Sequence, residues 1–328
     1  MDRNYIFEIL YALAARGGRQ EVLFGDSIQY ARPAFARSCP GEAFPELWFE
    51  LPLLGDPWFD LHVLTDSTTI DAETPFSDEN TGGYPNLFAW FATAPGVRQL
   101  ALSYDSGSGN ITQPAIQLLV RNACAHVPFL ERAGGPDYAA AYRAFEQRLP
   151  DTWFPCYTGV HPSRDDAFVR VECIPRAETQ SAYAADADLL EAHLRQVGLS
   201  DLGDMLVSRC QTLAQAPLQL EFQFDVLLDG TLGDTFGASV RFAPPIREND
   251  HLPFSLEGPV GELMQQVEDW GLADGRWRLL ADTTFSKRIS RQDEAVTVAN
   301  YPAFLKLRWR AGEPLDAKTY LIALFQQE

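Results

Sequence analysis

The sequence predicts an α+β fold in which ten antiparallel strands close into one barrel with helices outside. Three observations carry this. Pairs of strand-like segments recur at similar intervals along the 328 residues, and each pair is joined by turn chemistry. Helical patterns lie between the pairs. No Pro-, Gly- or Ser-rich linker and no shift of composition divides the chain, so it reads as a single domain over 1–328, although its length alone would suggest two.

Residues 1–18, MDRNYIFEILYALAARGG, place Asp2, Arg3 and Glu8 within a short apolar stretch and read as an amphipathic helix ending at Gly17-Gly18, not as a signal peptide. The first strand pair is ELWFELP (46–52) with WFDLHVL (58–64), around LLGDP. RQLALSYD (98–105) and PAIQLLVR (114–121) follow around SGSGN, then WFPCYTGV (153–160) and AFVRVECI (167–174) around HPSRDD. LQLEFQFDV (218–226) and TFGASVRF (235–242) flank LLDGTLGD, whose Asp229-Gly230 is a hairpin signal. The last pair is AFLKLRWR (303–310) and AKTYLIALF (317–325). Helical patterns occupy 84–94, 137–149, 186–198, 203–215 and 260–271, while 283–300 has room for an extra short strand. Five helix-plus-hairpin units result, alike in pattern but not in sequence. An open ten-stranded sheet would leave long edges near the size at which sheets curl or split, which favours closure; ten strands leave a lumen.

Charge narrows the function classes. Lys and Arg total 26 against 45 Asp and Glu, a formal net charge of −19, which disfavours general binding of nucleic acid or anionic lipid. The five cysteines are odd in number and lack a C-x-x-C pair, which fits reduced thiols better than a disulfide framework or a zinc site. No apolar run approaches the ~18 residues of a membrane span, and a cytoplasmic protein is expected.

Alternation assigns each strand two faces. Leu47, Phe49 and Leu51 face the helices and leave Glu46, Trp48 and Glu50 for the lumen. By the same rule Asp60 and His62, Arg170 and Glu172, Gln219, Glu221 and Gln223, and Ser239 and Arg241 point inward. The last pair adds Lys306, Arg308 and Arg310, with Lys318 and Tyr320 opposite. Arg170, Arg241, Lys306, Arg308 and Lys318, together with Arg121, are thus expected to bring cations into one chamber. Such cations repel one another at low dielectric and call for an anion. A diphosphate suits them, because Arg offers a planar fork and Lys a point charge. Trp48, Trp58, Tyr157 and Tyr320 are candidate lumen aromatics able to stabilise a carbocation, and Glu50 or Glu46 is placed to take a proton from a nucleophile. Together these groups suggest transfer of an isoprenoid group from its diphosphate.

From ELWFELP to AKTYLIALF the architecture resembles the ABBA prenyltransferases, whose αββα units surround a ten-stranded antiparallel barrel. The resemblance implies that Arg170, Arg241, Lys306, Arg308 and Lys318 hold an allylic diphosphate, that Trp48, Tyr157 and Tyr320 shield the prenyl group, and that Glu50 or Glu46 is the base. It looks most like the peptide-modifying branch, similar to the cyanobactin prenyltransferases, with a peptide or an aromatic molecule as acceptor. It implies no organic cofactor. Mg2+ stays open, since it can bridge the diphosphate to Glu or Asp but some members need no metal.

Plainer readings stand beside these. Inward Lys and Arg can pair with Glu172, Glu221, Asp60 and Asp225 in a structural network, which would suit a non-catalytic barrel that binds an anionic or hydrophobic ligand. His62 on an inward face reads as a polar lumen residue, and no spacing suggests a metal triad. Asp165-Asp166 is turn chemistry, and YDSGSGN lacks the G-K-[ST] of a phosphate loop.

Overall fold

Strand pairing closes a barrel. The computed structural model describes residues 20–27, 29, 46–67, 70, 76–78, 81–94, 97–105, 114–120, 123–164, 166–200, 203–242, 256–291 and 294–327. Within them the strands are β1 (Glu46–Pro52), β2 (Asp60–Asp66), β3 (Val97–Tyr104), β4 (Ala115–Val120), β5 (Trp153–Val160), β6 (Phe168–Pro175), β7 (Gln219–Leu227), β8 (Leu232–Arg241), β9 (Phe285–Arg291), β10 (Glu294–Arg310) and β11 (Asp316–Gln327). Strands β1 to β8 pair in chain order, β8 pairs with β10, β10 with β11, and β11 with β1, every pair antiparallel. The ten-stranded closed barrel expected from the sequence is present. The extra strand is β9, on the 294–300 half of β10, where β8 no longer reaches.

The helices are α1 (Gln20–Phe24), α2 (Pro85–Phe91), α3 (His126–Ala133), α4 (Pro136–Glu146), α5 (Ala177–Ala185), α6 (Ala187–Val197), α7 (Asp204–Gln215) and α8 (Pro259–Asp269). They share one core with the outward strand residues: Leu47, Phe222, Phe224 and Leu305 are buried with Phe145, Leu190 and Leu213, and Phe145 lies 5.3 Å from Phe224. Besides the short α1, two helices escape the sequence reading for physical reasons. α3 has only eight residues and carries Pro128, which reads as a helix breaker, and α5 (AETQSAYAA) has no apolar stripe, burying only Thr179 and Tyr183. The expected helix over 1–18, the SGSGN joint, Cys39, Arg121 and Asp165 lie outside the described residues.

Two prolines in mid-strand decide what the lumen sees. Proline cannot donate to a ladder and is tolerated where pairing is already broken. The register shifts at Pro155/Tyr157 in β5 and at Pro302/Phe304 in β10. A bulge turns successive side chains toward the same face. Cys156 and Tyr157 therefore both line the interior, as do Ala303 and Phe304. His126 secures the first bulge from α3: its Nε2 lies 3.0 Å from the Pro155 carbonyl, which can only accept, and its Nδ1 lies 3.0 Å from Thr158 Oγ1. Burial pulls the His126 pKa down to about 4, so the ring stays neutral and holds this arrangement.

Candidate active site

The inner faces enclose a chamber of about 440 Å3, within the usual range for small-molecule sites. Its two ends differ. Toward the hairpin turns it is lined by Glu50, His62, Arg170, Gln223 and Lys306; the helix-connected end mixes apolar Leu64, Ile174, Tyr301 and Leu324 with Glu46, Gln99, Gln219 and Arg241. The inner apolar residues Tyr301, Ala303, Phe304, Tyr320 and Ile322 form a cluster of their own, with Trp48 and Leu324 against it and the sheet between it and the outer core.

Most of the cations already have carboxylate partners. Arg170 forms two hydrogen bonds with Asp225, at 2.7 and 2.8 Å. Arg241 lies 3.3 Å from Glu221, and Lys318 lies 2.8 Å from Glu50 and 3.9 Å from Asp60. At these three cations the plainer reading of the sequence holds, since Asp225, Glu221 and Asp60 are among the partners it named, and register sets the acids beside them, as at Arg170↔Asp225. Lys306 differs. Its buried Nζ donates to Gln223 Oε1 at 2.7 Å and to the Tyr320 hydroxyl at 3.4 Å, and among the described lumen cations it alone has no ion pair. Gly237 makes room for it, since a Cβ there would sit 3.2 Å from Lys306 Cε and 3.3 Å from Gln223 Cβ.

Two of the cations expected in the chamber, Arg308 and Lys318, do not line it. Arg308 lies near the hairpin end of β10, its side chain 30% exposed and paired with Asp316, and it does not line the chamber. Lys318 is buried behind Glu50, 4.8 Å from the Trp58 ring centroid. Strand tilt separates residues at similar counts from their turns.

Glu50 and Glu46 also part company. Glu50 Oε1 meets Lys318, and its Oε2 lies 3.3 Å from His62 Nε2, whose Nδ1 is 2.6 Å from Ser103 Oγ. Glu46 accepts from Trp48 Nε1 at 2.6 Å and from Gln99 Nε2 at 3.1 Å, so it orients the Trp48 indole. Trp48, Phe304 and Tyr320 form a triangle with centroids 5.4 to 6.2 Å apart. Tyr157 lines the wall half-way round the barrel from Tyr320. Alternation from Lys306 already marks Phe304 as inward, but Tyr301 enters through the bulge and no strict alternation finds it.

Solved structures share this architecture. The prenyltransferase PriB in its apo form aligns over 96% of this chain and 95% of its own, with a TM-score of 0.57 and 14% identity. AnaPT from Neosartorya fischeri aligns over 97% of this chain and 90% of its own, with a TM-score of 0.50 and 9% identity. The chain has the ABBA prenyltransferase fold. At these identities the likeness is one of fold. No protein-family model matches the sequence, and no curated protein does.

Inside this ABBA barrel, burial and neighbouring charge set the acids apart. Burial raises the Glu50 carboxyl, but Lys318, Lys306 and His62 outweigh it and hold the group well below the usual carboxylate range. Burial pushes Asp60 up to about 7 against Lys318, with Glu50 and Asp105 adding to the rise. Glu221 is pushed up to about 7 by burial against Arg241, and burial raises Glu172 as well. Burial lowers Lys306, with Glu50 opposing.

Between about pH 4, where unfolded carboxyls ionise, and about 7, the folded chain keeps protons on Asp60 and Glu221 that the unfolded chain has released. Stability from these two groups is full below that window and is lost as pH rises through it. The melting temperature should be at least about 3 °C higher at pH 5.5 than at pH 8, and Glu221→Gln should reduce the difference; a scanning-calorimetry series in which stability rises across the window would contradict this assignment.

Among the described residues no group of three His, Cys, Asp or Glu is placed to hold a metal ion. No helix among them is long and apolar enough to cross a membrane.

Proposed function

We propose that the protein moves an isoprenoid group from an allylic diphosphate, bound in the barrel, to a nucleophilic side chain of a peptide or to an aromatic small molecule. The observation that carries this reading is Lys306: a buried ammonium with neutral partners alone, in a chamber walled beside it by the rings of Tyr320, Phe304 and Trp48. A desolvated cation without a counter-ion is costly to keep and suits an anionic ligand.

The allylic C–O bond breaks heterolytically and its electron pair leaves with the diphosphate, held by Lys306 with Arg170 and Arg241 on the same lining. Tyr320, Phe304 and Trp48 on one side and Tyr157 on the other exclude water from the allyl cation and stabilise it through their ring faces. The nucleophile adds to the cation, and the proton it gives up passes to Glu50, the carboxylate kept ionised in this chamber. Glu46 acts through Trp48, as a positioning residue.

The paired state of Arg170, Arg241 and Lys318 favours a second reading, a non-catalytic barrel whose cations are structural. Incubation with dimethylallyl, geranyl and farnesyl diphosphates and a panel of aromatic and peptide acceptors, read by product mass, separates the two. Transfer is expected with at least one donor, together with thermal stabilisation by the diphosphates. A barrel that none of the three stabilises or turns over would overturn the transferase reading.

A further inference from the structure

The charge inside the barrel has the wrong sign for an entering diphosphate. Among the described residues Glu46, Glu50, Asp60, Glu172, Glu221 and Asp225 line or border a chamber that Arg170, Arg241, Lys306 and Lys318 share with them. Six carboxyl groups face four cations, and the ligand brings several more negative charges. Either the acids move away or some of them carry protons.

Burial raises three of these acids, Asp60, Glu172 and Glu221, and the last two stand on neighbouring strands. Glu172 on β6 and Glu221 on β7 line the wall half-way round the barrel from Glu50. Glu172 accepts from Ser239 Oγ at 3.3 Å, and Glu221 lies 3.3 Å from an Arg241 terminal nitrogen. Two observations on the same wall point to an anion. Arg241 Nε is a buried donor with no acceptor, and Lys306 Nζ is bound only to neutral groups. We propose that Glu172 and Glu221 form a proton-holding carboxyl pair that offsets the charge of a bound diphosphate, so that anion binding in the barrel takes up a proton from solvent.

The groups facing the pair set the direction. From β5 come Cys156 and Tyr157, which burial keeps neutral; from β6 Arg170, from β7 Asp225, from β8 Arg241, from β10 Lys306, and from the far wall Glu50. Burial raises both carboxyls, and Arg241 and Lys306 are the main charges holding them down. An anion that engages Arg241 and Lys306 cancels that restraint and adds repulsion of its own. The pair then binds protons more tightly in the complex than in the free protein, and linkage requires affinity for the anion to fall as pH rises.

This inference rests on the diphosphate reading, and the experiment keeps the two apart. Inorganic pyrophosphate is titrated into the full-length protein by calorimetry at pH 7.5, in two non-phosphate buffers of different ionisation enthalpy, and again into E172Q/E221Q. Any proton exchanged by pyrophosphate itself is common to both proteins. The wild type is expected to take up about one proton more per pyrophosphate than the variant, and between pH 7 and 8 its affinity should fall by up to about tenfold more than that of the variant. Gln keeps the shape of a protonated carboxyl; should the double variant fail to fold, E221Q alone should show a smaller loss of uptake in the same direction. Equal proton numbers in wild type and variant would overturn the proton-holding pair while leaving the diphosphate site standing. Absence of pyrophosphate binding by the wild type would overturn both.

Discussion

Lys306→Met abolishes transfer and leaves the fold at least as stable as before: turnover is expected to fall by about 10²–10³-fold while the melting temperature rises by roughly 2–4 °C. The two halves share one cause. Lys306 is 6% exposed, without an ion pair, and burial depresses its pKa against the attraction of Glu50 and Glu172, so the folded state carries a desolvation cost of the ammonium that these acids offset only in part. Methionine keeps the unbranched shape and removes that cost, and half-buried Gln223 can turn its amide oxygen to water in the chamber. Arg170→Met is the contrasting substitution. It strands Asp225, buried and bound twice by the guanidinium, and is expected to destabilise by about 3–5 kcal/mol. Calorimetry and turnover on both variants decide the matter. A melting temperature that drops in Lys306→Met as steeply as in Arg170→Met would make Lys306 one more structural cation.

That contrast marks where the sequence stops being legible. Period-two alternation on 46–52, 219–227 and 303–310 is enough to point Glu50, Gln223 and Lys306 into a common interior, because helices cover the other face and a one-residue slip would bury charge beneath them. It does not say which acid meets which base. Arg170 finds Asp225 through the β6–β7 register, and Lys318 reaches Glu50 and Asp60 although its direct cross-strand neighbours are Lys306 and Pro52. Strand tilt and shear settle these pairings, and neither is written in one strand's pattern. The bulges limit reading in the same way. Pro155 and Pro302 signal broken pairing, but it takes the folded barrel to bring Cys156 beside Tyr157, and Ala303 beside Phe304, on the lumen side. Gly237 looks like any strand glycine until Lys306 is seen filling the space a side chain would take.

Glu50→Gln is expected to lower turnover by about 10²–10⁴-fold at every pH from 6 to 8, since an amide cannot take the proton that the nucleophile must lose. The same substitution changes stability in a way that checks the charge assignments without reference to activity. In the wild type Lys318, Lys306 and His62 hold Glu50 well below its unfolded pKa, so its contribution is present above about pH 4.3 and is lost only as pH falls through the lower folded value. Replacing it removes that acid-side term. It also removes one of the charges that raise Asp60 and leaves Lys318 to Asp60, 3.9 Å away, so the Asp60 pKa should drop. The loss of melting temperature between pH 5.5 and 8 should therefore shrink in Glu50→Gln. Turnover within tenfold of wild type would move the base elsewhere, with His62, 3.3 Å from the same carboxylate, the next group to replace. An unchanged pH–stability slope would instead show that Asp60 does not sense Glu50, and the electrostatic coupling assigned to this end of the chamber would fail with it.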